Sequence, residues 1–133
     1  MHALLILWLA FDLAAIKLEP NLERRSELAL VNASAAMDAA RDAASDDAKL
    51  KPALQELRDS VDLAYQSLVD SGKSARRSPK FFKKAELKTR ELMRRLEGLA
   101  QAVDADDRVL VESVRDRVSK VHDDLIQDIM KKK

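Results

Sequence analysis

A chain of 133 residues with 24 Lys or Arg, 23 Asp or Glu and a formal net charge of +1 is one domain's worth of protein with one modest core. Two glycines and three prolines are too few for the many turns of a sheet-rich fold, so composition argues for long helices with few connections. The absence of cysteine excludes disulfides, thiolate metal sites and cysteine nucleophiles together.

Charge is unevenly spread. Ten Lys or Arg lie between Lys73 and Arg95, against Glu86 and Glu91; the rest of the chain holds 14 basic and 21 acidic residues. Such a split means either an anionic partner or acidic neighbours within the same fold.

The chain opens with an unbroken apolar run, Ala3 to Phe11. It is too short for a membrane span of about 20 residues but has the length of a signal-peptide core, roughly 7–15 residues. Only His2 precedes it, and no small-x-small cleavage site follows, since Ala10 has Trp8 and Ala15 has Leu13 two positions earlier. Residues 1–18 are read as an export leader shortened at its basic end. The mature chain is then expected to begin between Phe11 and Lys17, and residues 19–133 form one domain. The alternative is a cytoplasmic protein whose first helix packs onto the rest.

The fragment AIKLEPN (15–21) resembles the join between two tetratricopeptide repeats. Nothing similar recurs about 34 residues later, so no repeat array is expected.

Helical periodicity begins at about Leu22 and runs to Ala44. Leu30, Ala33, Met37, Ala40 and Ala44 form a stripe, widened by Leu28, Val31, Ala35 and Ala36. SDDAKLKP (45–52) breaks the pattern, with Pro52 placed for a new first turn. A second stripe follows on Leu50, Leu54, Leu57, Val61, Ala64 and Leu68, with Tyr65 and Val69 beside it, and stops at Ser71-Gly72. The third helix starts with Ser78 as N-cap and Pro79 at the first position, and buries Phe82, Ala85, Thr89, Leu92, Leu96, Leu99 and Val103. Asp104 caps a fourth helix on Val111, Val114, Val118, Val121 and Leu125, flanked by Leu110, Ile126, Ile129 and Met130. The expectation is all-α: a four-helix, up-down-up-down antiparallel bundle. The alternative is a helical hairpin that completes its core as a homodimer.

No catalytic, cofactor-binding or metal site is expected. A di-metal carboxylate centre needs Glu-x-x-His pairs, and Ser119 stands three residues before His122. His122-Asp123-Asp124 reads as a solvated face beside the valine stripe. Met37, Met93 and Met130 fill gaps, and Gly72 and Gly98 make no phosphate loop. Thr89, the polar residue on the third stripe, is expected to bond its hydroxyl back to the preceding turn.

The segment KSARRSPKFFKK (73–84) carries the remaining chemistry. Lys73, Arg76, Arg77, Lys80, Lys83 and Lys84 are candidate anion-binding residues for a polyanion or an anionic lipid surface. The alternative for the same charges is neutralisation by acidic residues inside the fold. The functional expectation is a non-enzymatic, exported helical module that works structurally or through a protein partner, with anion binding as the second reading.

Overall fold

Helix starts are written into three side chains. Asn21 Oδ1 accepts from the Arg24 amide at 2.9 Å, Asp46 Oδ1 from Lys49 at 3.3 Å and Asp104 Oδ1 from Asp107 at 3.0 Å. Each satisfies one of the donors that a helix start leaves open. The structure, a computed structural model, describes residues 12–131, so the apolar run Ala3–Phe11 and the last two lysines lie outside the described residues. The described residues form five helices and no strand: α1 (Leu13–Ile16), α2 (Leu22–Asp42), α3 (Asp47–Asp70), α4 (Pro79–Ala102) and α5 (Ala105–Met130). None of these is long and apolar enough to cross a membrane.

One helix start and one capping bond differ from the sequence reading. Capping by Asp46 starts α3 five residues before Pro52, which therefore sits inside the helix and withholds an N–H from the carbonyl one turn back. Ser78 occupies the N-cap position of α4 but caps nothing with its side chain; its hydroxyl donates instead to Glu23 Oε2 on α2. Pro79 at the first position fixes the start of α4 without that cap. Gly72, at φ +72°, ends the turn after α3 in a conformation that other residues adopt only with strain.

Packing follows the stripes. α2 packs on α3 and α4 on α5; the two pairs then meet through α2 against α4 and α3 against α5, while α3 and α4 barely touch. Leu50, Leu54, Leu57, Leu68, Leu92, Leu96 and Leu125 are sealed in the core. Alanines 29, 33, 36 and 40 let α3 and α4 approach α2 closely. Val31, expected to widen the buried face, is 67% exposed. The α2 face is turned towards Asn32, whose Nδ2 donates to Ser60 Oγ (2.9 Å) and Glu56 Oε2 (2.7 Å) across the α2–α3 seam. Val69, Ile129 and Met130, placed beside stripes, are also exposed.

Residues 12–18, assigned to the leader from sequence, hold α1. Leu13 is buried there and Ile16 packs against the core, while Arg25 Nε donates to the Glu19 carbonyl at 3.0 Å.

Candidate functional site

The basic segment meets α2 because α4 starts beside the start of α2. Lys73 Nζ lies 3.2 Å from Glu23 Oε1, and Lys84 Nζ pairs with Glu27 Oε2. The Ser78 hydroxyl holds the Glu23 carboxyl below its ordinary value; burial opposes this and Lys73 reinforces it. Further along, Arg95 pairs with Asp38. Lys80 stands 5.5 Å from the centre of the Phe81 ring, within cation–π range. Arg76 and Lys83 line a shallow cleft with Ala75, Pro79 and Ile129, and Arg77 faces solvent. Of the six candidate residues, Lys73 and Lys84 are thus turned to glutamates of α2. All six, Arg76, Arg77, Lys80 and Lys83 included, are exposed.

Thr89 behaves as its position predicts, donating to the carbonyls of Ala85 (2.9 Å) and Glu86 (3.0 Å). His122 does not. It is drawn into the α4–α5 seam, its Nε2 lying 3.0 Å from Glu86 Oε2, which also accepts from Arg90 Nε (2.9 Å) and Nη2 (2.6 Å). Glu86 is 3% exposed. Burial pushes its carboxyl up, but the bonds from His122 and Arg90 outweigh it and hold the group below its ordinary range. One local signal pointed here: Glu86 and Arg90 are four apart on a helix. The contact with His122 crosses 36 residues and had no local signal.

Asp104, read from sequence as a helix cap, belongs to a second acidic group. Because α3 and α5 pack side by side, their starts are neighbours, and carboxylate oxygens of Asp47, Asp104 and Asp107 all lie within 4.8 Å of one another. Asp107 is 4% exposed, and its Oδ2 has no hydrogen-bond partner among the described residues. A hydrogen bond shared with Asp47, then burial and the charges of Asp104 and Asp47, push the Asp107 carboxyl up to about 6 against the pull of Lys51.

The α2–α4 face carries a groove. Leu30, Val31 and Ser34 line it from α2, Leu87 from α4, and Glu27, Lys84, Lys88 and Glu91 rim it with both signs of charge. Val31 and Leu87, 67% and 47% exposed, are the apolar surface it offers. No known protein family, characterised protein or solved structure matches this chain.

Proposed function

We propose that the chain is a non-enzymatic helical-bundle module, exported from the cell, that works by contact with another protein. The observation that carries this reading is the α2–α4 groove, where Val31 and Leu87 expose apolar surface between charges of both signs. An amphipathic helix with a narrow apolar stripe and mixed flanking charges is the partner such a face fits.

The four long helices are read as alternating in direction, up-down-up-down. Glu27–Lys84 and Asp38–Arg95 have the same separation of 57 residues, as expected of two helices running the same way. Glu86–His122 and Ala100–Arg108 are both centred on Asp104, as expected of an antiparallel hairpin folded at that residue. Asn32 meets Glu56 and Ser60 about a centre in the α2–α3 turn.

The test is site-specific photocrosslinking in the native host. A benzophenone side chain at Leu87 should capture one discrete protein, capture should vanish with Val31→Glu, and the same probe at exposed Glu112 on α5 should capture nothing. Equal labelling from both positions, or adducts with lipid or polyanion alone, would contradict the reading. Export rests on the apolar run Ala3–Phe11. The intact mass of the host protein should place its first residue between Phe11 and Lys17, near enough to Phe11 to keep the buried Leu13. Cytosolic protein beginning at Met1 would contradict it.

The second reading, anion binding, is favoured by Arg76 and Lys83 sharing one cleft beside Lys80 and Phe81. On that reading heparin or anionic vesicles bind with an affinity that falls steeply with salt, and Arg77→Glu/Lys80→Glu/Lys83→Glu abolishes binding without changing the melt. On the first reading the triple variant leaves the Leu87 crosslink intact.

A further inference from the structure

The starts of α3 and α5 hold a group of charges that the interaction reading leaves unused. Asp47 is the first residue of α3, Asp104 the N-cap of α5, and Asp107 the third residue of α5. Their ligand oxygens all fall within 4.8 Å of one another. Asp104 already spends Oδ1 on the Asp107 amide, and Asp47 and Asp104 reach solvent. Asp107 does not: the residue is 96% buried, since 4% of it is exposed, and its Oδ2 is left without a donor.

A carboxylate oxygen removed from water and given no hydrogen bond is costly and rare in native proteins. The positive ends of the α3 and α5 dipoles and the nearby Lys51 favour ionised carboxylates here, but the hydrogen bond with Asp47, burial and the charges of Asp104 and Asp47 outweigh them at Asp107. Neither the dipoles nor Lys51 supplies a donor to Asp107 Oδ2. Three carboxylates gathered within reach of one another, the buried one with an oxygen that lacks a donor, ask for a positive centre between them.

The donors favour one kind of ion. Calcium takes about six to eight oxygens in a flexible arrangement, which three carboxylates from two helix starts can supply together with water. Magnesium demands a near-ideal octahedron and gives up its own water reluctantly. We propose that Asp47, Asp104 and Asp107 bind one divalent cation of calcium's size, tying the start of α3 to the start of α5. Asp107 supplies the inner oxygen, Asp47 and Asp104 the outer ones, and water completes the shell from the solvent side. With three side chains and no dedicated loop, affinity falls in the weak range of about 10⁻⁴–10⁻³ M.

The test uses the full chain, treated with chelator and then melted with CaCl₂, with MgCl₂, or with KCl at matched ionic strength. Calcium near 10 mM should raise the Tm by about 5 °C over the KCl control, and magnesium by clearly less. Isothermal titration with calcium should give a stoichiometry of one. Asp47→Asn and Asp104→Asn change exposed residues, and asparagine keeps the cap at 104, so both variants should fold and lose the calcium-specific shift. Equal shifts in all three salts would overturn the proposal, since the effect would be screening. A calcium shift that survives both substitutions would overturn it as well, because the ion would then bind elsewhere.

Discussion

Glu86 has the most consequential ionisable contacts in the α4–α5 seam. Its carboxyl lies below its ordinary value of 4.5 in the folded chain, so the stabilisation it brings is complete above that value. It is lost as the pH falls through the lowered folded value. Glu23, held down by Ser78 and Lys73, acts in the same direction. Glu86→Gln should therefore flatten the acid limb of a stability-against-pH curve, measured by denaturant melts below about pH 4.5. At neutral pH it should cost about 1–3 kcal/mol, because Arg90 and His122 lose the group that satisfies them. A steep acid limb in the variant would show that other carboxylates govern acid unfolding. Leucines behave more simply. Leu57→Ala and Leu96→Ala, both at 0% exposure, should each cost about 2–5 kcal/mol, and Lys88→Ala should stay within about 0.5 kcal/mol. These positions were legible in the sequence because a side chain repeating every three or four residues has one place to go. Glu86 and Asp107 were not, because each is buried by a partner on another helix rather than by its own periodicity.

At the scale of the element, Pro52 and Val31 mark where local rules gave way. Proline is a good start signal when it lies at the first helical position, as Pro79 does, but Asp46 outcompetes Pro52 by supplying a cap earlier. Pro52→Ala restores a helical N–H, and we expect a gain of about 1 kcal/mol, read as a higher denaturant midpoint. An unchanged or lower midpoint would mean that the α3 backbone gains nothing from the restored donor. Val31 adjoins the apolar Leu30, and apolar character alone put it on the buried face. The polar Asn32 took the seam instead, since its amide finds both Ser60 and Glu56 there. A single sequence does not announce such a pair, because a buried asparagine is readable only once its partners are known.

For the whole molecule the charge split becomes structural. The acidic side chains Glu23, Glu27 and Asp38 of α2 meet Lys73, Lys84 and Arg95 at and along α4, so part of the basic segment is neutralised within the fold. These are largely exposed pairs, worth about 0–1 kcal/mol each. Lys73→Glu/Lys84→Glu sets two like-charge contacts against α2 and should lower the melting point, and added salt should recover part of that loss. If Arg77→Glu/Lys80→Glu lowers it equally, the division of the segment into inward and outward charges is wrong.

The central claim is that α2 and α4 lie side by side and run in the same direction, because this makes the groove proposed as the contact face. The chain has no cysteine, so paired cysteines can be spin-labelled without background. Replacing Glu27 with Lys84, and separately Asp38 with Arg95, by cysteine pairs removes only surface ion pairs. Double electron–electron resonance on the two labelled proteins is the most direct measurement. Parallel helices predict two short and similar distances. Antiparallel helices would leave one pair short and separate the other by roughly 33 Å more along the axes, at 1.5 Å per residue, and that result would contradict the account.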